Sequence, residues 1–534
     1  MAKRIFRQAC IGFPIALFLI PFSIYFLTLA PTITWRNDGA DGGDLIVAAY
    51  TLGIAHPPGY PVYVLLGKLF TLLPIGDVAH RVNLMSAFFA AATIPLVYLI
   101  TLELCRSLSE GVNIRARTSQ IAASIAAFSF AVSPTFWSQA TITEVYTLNA
   151  FFVALLFYLL LKWAAGQRQQ TVSNNAKPAT PCLLFAALAY GLSLGNHPSM
   201  LMLGPAVLFL ILEGKHYNRT YLKRLLAAGL GFLLGLSIYL FLPMRAMQHP
   251  PVNWGDPSTW TGFVWMVSGE LYRRFVFALP PSFIPGRASS WASLLVQQFG
   301  WWGLLLGLIG LWHCLNRNRA FSAFSLLAFS AVVIYAIGYD TTDSYVYLIP
   351  SYLVFATWLG AGIHYLIAAL RQVRDGRGLT FHASRFTLHA SRFMLLFLLL
   401  PLVSLWRNFS SLDLSKDRTA YEYGEEVFEI LEPSAVVIAD TDPHTFTLWY
   451  FSYVVGERPD VVVLNKTLLG YPWYRENMGL LHPQVAIPNN NGDVLTRLIE
   501  SNRGRHPIYL TDQDPSLSAR YVFSSQGPLY RLEE

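Results

Sequence analysis

Charge is scarce in this chain. Asp, Glu, Lys and Arg make up 13% of its 534 residues, about half the share of a soluble domain. A water-soluble protein of this length would lack the polar side chains to cover its surface. Disorder, collagen and coiled coil are excluded on the same grounds. Cysteine is nearly absent: Cys10, Cys105, Cys182 and Cys314 all lie in or beside apolar runs. They imply neither a disulfide framework nor a zinc site. The sequence has no GxxxxGK[ST], GxGxxG, HExxH or CxxC, so no nucleotide loop or metalloprotease helix of known form is present. The formal charge of +7 reads as topogenic charge at membrane helix ends, and nucleic-acid binding is not expected.

Apolar residues are abundant, at 54%, and aromatics reach 14%, which suits a chain with Trp and Tyr anchored at bilayer interfaces. A helix needs about 20 apolar residues to cross a bilayer. Eleven runs are candidates: 11–30, 83–104, 118–134, 145–165, 182–195, 199–213, 225–243, 294–314, 321–338, 346–370 and 393–406, of which 182–195, 199–213 and 393–406 are short. The expected fold is an α-helical multi-pass membrane protein with about eleven transmembrane helices over 1–406. The length of the first run favours an anchor over a cleaved signal. With the N-terminus in the cytoplasm and alternating spans, cytoplasmic segments hold 20 Lys and Arg and the opposite loops seven. That bias follows the positive-inside rule and puts the C-terminal tail outside. The expected location is a cell membrane, the inner membrane of a bacterium.

From about 407 the character changes. Short β-rich runs at 435–439, 460–464 and 507–510 alternate with helix-like stretches at 445–455 and 493–501. This predicts a small extracytoplasmic α/β domain over 407–534. The seven-residue duplication Phe381-His-Ala-Ser-Arg-Phe-Thr and Leu388-His-Ala-Ser-Arg-Phe reads as a basic cytoplasmic linker, since no Cys or acidic ligand lies nearby to complete a metal site.

The first outer loop, 31–82, is the richest in chemistry. It contains Trp35-Arg-Asn-Asp-Gly-Ala-Asp-Gly-Gly-Asp-Leu, with Asp38, Asp41 and Asp44 just beyond the first membrane exit. Gly39, Gly42 and Gly43 permit turns there. Ile46–Tyr50 and Val62–Leu72 read as interfacial helices, joined rigidly by His56-Pro57-Pro58-Gly59-Tyr60-Pro61. The spacing does not match an EF-hand, which leaves a solvated loop or a functional carboxylate site. Other outer residues can join it. Glu144 opens a span, where a favourable helix-dipole contact also explains it. Asn196-His197-Pro198 breaks two short apolar runs. Arg245, Arg273 and Arg274 lie on the side poor in basic residues, where they could bind a lipid phosphate or snorkel to the interface. Asp340 and Asp343 are explained by turn chemistry alone.

The motifs Leu52-Gly-Ile-Ala-His-Pro-Pro-Gly-Tyr-Pro, Leu66-Gly-Lys-Leu-Phe, Arg81-Val-Asn-Leu-Met-Ser-Ala, Thr143-Glu-Val-Tyr-Thr-Leu-Asn, Gly191-Leu-Ser-Leu-Gly-Asn-His-Pro, Asn253-Trp-Gly-Asp-Pro and Asp442-Pro-His-Thr-Phe-Thr-Leu-Trp-Tyr resemble the protein O-mannosyltransferase-like branch of the GT-C membrane glycosyltransferases. The resemblance covers most of the chain and is most specific over 41–86. It implies an enzyme that moves a sugar, such as mannose, from a polyprenyl- or dolichyl-phosphate donor to a hydroxyl on a protein, glycan or lipid acceptor at the extracytoplasmic face, with inversion. The family's first loop usually reads Gly-Asp-Ser-Gly-Glu. Here the matching positions are Ala40-Asp41-Gly42-Gly43-Asp44, which makes Asp41 the expected base and Asp44 the second catalytic carboxylate. The departing lipid phosphate would gain charge that a nearby arginine stabilises; Arg245, Arg273 and Arg274 are candidates, with His197 behind them and His56, Pro57, Pro58, Tyr60 and Glu144 as supporting residues. No cofactor is required; a divalent cation is compatible with the acidic loop but nothing demands one. A transporter or flippase would place ionisable groups at mid-span, and a receptor or scaffold would leave the acidic loop idle.

Overall fold

Each of the eleven apolar runs falls on helix in the computed structural model, which describes residues 2–109, 116–172, 180–213, 219–374, 390–490 and 492–533. The first half comprises α1 (Ala2–Leu27), two short loop helices, α2 (Gly42–Thr51) and α3 (Pro61–Thr71), then α4 (Val78–Ser107), α5 (Ala116–Ala131), α6 (Pro134–Ala140), α7 (Tyr146–Val172), α8 (Thr180–Leu194), α9 (Gly204–Glu213) and α10 (Arg219–Leu236). Three short helices follow, α11 (Phe241–Ala246), α12 (Trp260–Val267) and α13 (Glu270–Arg273). The bundle closes with α14 (Ile284–Arg317), α15 (Arg319–Gly338), α16 (Ile349–Arg374) and α17 (Ala390–Leu412). The histidine-containing duplication lies largely outside the described residues.

Helix starts follow local chemistry. Asp77 caps α4 by accepting the His80 amide at 2.7 Å, and Asn318 caps α15 through the Phe321 amide at 3.1 Å. Pro134 lacks the amide needed to continue α5, so α5 and α6 meet at a 63° bend. Among the described residues, length and composition qualify six helices as spans, or seven if α5 and α6 count as one. The expected eleven are not established. Thr180–Leu194, with 15 residues, rises only about 22 Å against a hydrocarbon core of about 30 Å. Apolar composition alone does not separate a full span from a shorter helix packed within the bundle.

The tail supplies α18 (Thr419–Ile430), β1 (Val436–Ala439), α19 (Asp442–Tyr450), β2 (Val462–Asn465), α20 (Pro472–Leu481), α21 (Val494–Asn502), β3 (Ile508–Leu510), α22 (Pro515–Ser518), β4 (Phe523–Gln526) and β5 (Leu529–Leu532). The sheet order is β2-β1-β3-β5-β4. β1 pairs in parallel with β2 (Val436 opposite Val462) and with β3. β1, β2 and β3 are buried throughout, as parallel strands covered on both faces must be. β4 and β5 add an antiparallel edge. Their polar stretch Phe523-Ser-Ser-Gln carries no apolar run to announce a strand.

The tail is seated on the first loop. Trp35 Nε1 donates to Thr447 Oγ1 at 3.0 Å, the Tyr450 hydroxyl donates to Asp77 at 3.1 Å, and the Leu414 amide donates to the Thr28 carbonyl at 3.0 Å. α2 lies beneath α19 and is buried from Gly42 to Ala49. The segment expected at a membrane interface is instead an internal element, clamped between the bundle and the tail.

Candidate active site

The acidic loop is shaped by two non-glycine residues in left-handed backbone, Asn37 (φ 59°) and Asp38 (φ 61°). Such conformations are commonest for Asn and Asp. The chain then enters α2 with Asp41 at its N-cap, where the helix dipole favours a carboxylate. That carboxylate makes no capping hydrogen bond and is 44% exposed, toward a cavity. Asp44, one helical turn on, is fully buried. Its Oδ2 accepts the His56 amide at 2.9 Å and His56 Nδ1 at 2.7 Å. Its Oδ1 accepts Trp254 Nε1 at 2.9 Å. The neighbouring His56 motif and the distant Trp254 motif therefore converge on one carboxylate. With Nδ1 donating to Asp44, the other ring nitrogen, Nε2, lies 3.7 Å from Asp41.

Electrostatics follow from this packing. Burial works against charge on His56, but Asp41 and then the Asp44 hydrogen bond outweigh it and raise the imidazole to about 9, so it is cationic at neutral pH. Desolvation raises the Asp41 carboxyl, and His56 pulls it partly back. Glu144 is pushed well up, first by burial and then by Asp41. Burial and His56 lower His197 to about 3, so this imidazole is neutral.

A cavity of about 230 Å³ opens here, lined by Asp41, His56, Pro57, Pro58, Tyr60, Glu144, His197, Arg273 and Asp343 together with Tyr146, Tyr272, Tyr335, Tyr339 and Tyr347. Most of the expected site residues thus share one space. Three do not line it. Asp44 stands behind His56. Arg245 is occupied elsewhere: its Nε donates to the Leu52 carbonyl at 2.7 Å and Nη2 to Thr51 at 3.1 Å, holding the C-terminal carbonyls of α2. This corrects its expected place at the phosphate. Arg274 lies over the Phe275 ring at 4.7 Å and is exposed. Arg273 reaches the cavity and is also paired with Glu270 at 2.6 Å. His197 lines the cavity uncharged, its Nδ1 engaged with Ser199, so it offers a hydrogen bond rather than a counter-charge. Among the described residues no group of three His, Cys, Asp or Glu is arranged to hold a metal ion.

Sequence reasoning missed Asp343, explained as a turn, and the tyrosine wall. Arg287 holds the 339–344 turn in place through the Thr341 carbonyl (3.1 Å) and the Ser344 hydroxyl (2.6 Å), which directs Asp343 into the cavity. It also missed Asp442 at the start of α19. Burial and then Asp41 raise that carboxyl to about 6, so the tail contributes to the electrostatics of the site. The one available signal was Tyr-rich spacing in Tyr339-Asp-Thr-Thr-Asp-Ser-Tyr-Val-Tyr, beside a span end.

Residues 41–220 match the protein O-mannosyl-transferase TMEM260 N-terminal domain, and 420–483 match TMEM260-associated domain 2. The protein O-mannosyl-transferase TMEM260 of Mus musculus is 26% identical, over 94% of this chain and 69% of the mouse protein. Its counterpart in Dictyostelium discoideum is 23% identical, over 98% and 67%. Among solved structures, ArnT from Cupriavidus metallidurans bound to undecaprenyl phosphate superposes with a TM-score of 0.59 at 12% identity, covering 98% of both chains. The Archaeoglobus fulgidus oligosaccharyltransferase gives 0.53 at 14%, over 93% of this chain and 69% of that one. The chain is an integral membrane glycosyltransferase of the GT-C fold, similar over 41–220 and 420–483 to the protein O-mannosyl-transferase TMEM260 domains.

Proposed function

We propose that the enzyme transfers a single mannose from a polyprenyl- or dolichyl-phosphate carrier to a hydroxyl of a protein acceptor, with Asp41 as the general base. The observation that carries this reading is an Asp41 carboxylate free of capping bonds, open to a cavity and facing His56 Nε2. The acceptor oxygen attacks the anomeric carbon while Asp41 takes its proton. The bond from that carbon to the phosphate oxygen breaks, and the carrier leaves as its phosphate. A single displacement inverts the anomeric centre. Asp44 fixes the His56 ring, and His56 in turn keeps Asp41 ionised, so both are positioning residues. Arg273 and the imidazolium offset the charge that grows on the departing phosphate.

Size and surroundings support a small lipid-linked donor. A cavity of about 230 Å³ lies below the roughly 300–1,000 Å³ of drug-sized ligand pockets, which suits one sugar ring rather than an oligosaccharide. Val276 in its lining and Phe277, packed on Tyr335, are exposed apolar side chains, a path by which an isoprenoid tail stays in the bilayer. The relatives named for O-mannosyl transfer support mannose. Two structural neighbours hold undecaprenyl phosphate and dolichol phosphate, which supports the carrier. Basic residues crowd the opposite helix ends, which supports an extracytoplasmic cavity, in the inner membrane of a bacterial cell or facing the lumen in a eukaryotic one.

The test is transfer of labelled mannose from synthetic polyprenyl-phosphate mannose to a Ser/Thr-bearing domain by the reconstituted full chain. Asp41→Asn should lower turnover by roughly 10²–10⁴-fold, the range of general-base catalysis, while the protein remains folded. Near-normal turnover in that variant would remove Asp41 as base. Transfer of a different sugar would reject mannose alone.

A further inference from the structure

α7 and α15 each leave the candidate active site and run to the opposite face. From Tyr146 to Ala165, and from Gly338 back to Arg319, each covers roughly 29 Å, about the thickness of the hydrocarbon core. At their far ends, between the ends of α4, α7, α14 and α15, lies a second cavity of about 790 Å³. Arg106, Arg168, Arg317 and Arg319 line it, and Glu103 is the one acidic residue in its lining. Glu103 is already neutralised by Lys162 at 2.9 Å. Arg168 reaches Glu213 at 3.7 Å. Among the described residues no carboxylate lies within ion-pair distance of Arg106, Arg317 or Arg319. Asn318 ties the rim together by donating to Ser107 at 3.0 Å, and it caps α15, whose positive dipole end opens on the cavity. Leu104, Leu161 and Phe321 form apolar wall.

We propose that this cavity binds the phosphate head group of an anionic membrane lipid in the leaflet opposite the active site. Arginines that serve only as topogenic charge snorkel separately into water. Here three with no carboxylate in ion-pair distance among the described residues line one open cavity with an apolar flank, the arrangement by which basic pockets between transmembrane helices hold phospholipid heads. Planar guanidinium groups match phosphate oxygens in bidentate fashion, and the apolar wall accommodates the start of an acyl chain. A soluble phosphate would use the same donors without needing that wall.

The experiment is native mass spectrometry of the full chain in detergent, titrated with phosphatidylglycerol, phosphatidylcholine or inorganic phosphate. The wild type is expected to retain phosphatidylglycerol in preference to phosphatidylcholine. Arg106→Gln/Arg317→Gln/Arg319→Gln should weaken phosphatidylglycerol retention by at least roughly tenfold, given the contribution of each basic residue near an anionic lipid. Arg219→Gln/Lys223→Gln/Arg224→Gln removes the same charge outside the cavity and should leave retention intact. Thermal unfolding confirms that both variants fold. Equal losses in the two variants, no preference over phosphatidylcholine, or inorganic phosphate binding that the lipid does not displace would each overturn the proposal.

Discussion

Asp41 and Asp44 differ in chemical role because one carboxylate is open to a cavity and the other has its hydrogen bonds filled from within the fold. Asp44 accepts from Trp254 and twice from His56, so it has little capacity to take a proton from an incoming hydroxyl. Asp41 must be ionised to act, and its carboxyl is raised, so activity should fall as pH drops through that value. The His56 cation offsets the charge growing on the departing phosphate, so activity should also fall as pH climbs past about 9. A bell-shaped kcat/KM profile is therefore expected. His56→Gln should lower kcat and erase the alkaline limb. Asp44→Asn, which removes a charge that raises His56, should move that limb to lower pH. A limb at the same pH in both variants would detach it from His56. At this scale the sequence was only partly legible. The acidic loop and the His56-Pro57-Pro58 turn could be read from their motifs. The separate fate of Arg245 could not, because an arginine that holds helix carbonyls has the same flanking residues as one that holds phosphate. Asp343 lies some 300 residues from Asp41, so only tertiary packing discloses that they share a space.

Helix and strand positions were more legible than helix environment. Periodicity and composition locate α2, but they do not report that α19 covers it. Gly43 shows the consequence. It sits inside α2 with ordinary helical neighbours, where alanine would normally stabilise by roughly 0.5–1 kcal/mol. A Cβ built there would lie 2.6 Å from the Phe446 carbonyl oxygen and 2.8 Å from its carbonyl carbon. Both are backbone atoms, which cannot rotate aside. Glycine is therefore needed for close approach of two helices, and the left-handed turns of this loop fall instead on Asn37 and Asp38. Gly43→Ala should destabilise by roughly 1–3 kcal/mol, the usual cost of overpacking, measured as a lower midpoint of thermal unfolding. It should also reduce turnover, because α2 carries Asp41 and Asp44, and α19 carries Asp442. An unchanged or higher midpoint would show that the tail is not clamped on α2.

At the scale of the molecule, the two ends of the bundle are chemically opposite. One end has an aromatic-walled cavity with Asp41, Glu144 and Asp343, near Asp442 of the sheet domain; the other has arginines around an open basic cavity. Sequence arithmetic foresaw this polarity because topogenic charge is local and additive. The number of spans was less legible, because short apolar helices inside a bundle look like spans. The polarity has a direct test in intact vesicles, using chains whose native cysteines are replaced. Val522 is 72% exposed beside β4, on the tail that packs against the first outer loop. Asn316 is exposed near the end of α14, close to the basic cavity. A membrane-impermeant maleimide added from the extracytoplasmic side should label Val522→Cys at once, and Asn316→Cys only after detergent. α14 joins these two environments, so the pair must report opposite faces whatever the number of shorter helices. Labelling of Asn316→Cys alone in sealed vesicles would invert the topology. The acidic cavity would then face the cytoplasm, and the basic cavity would meet the outer leaflet.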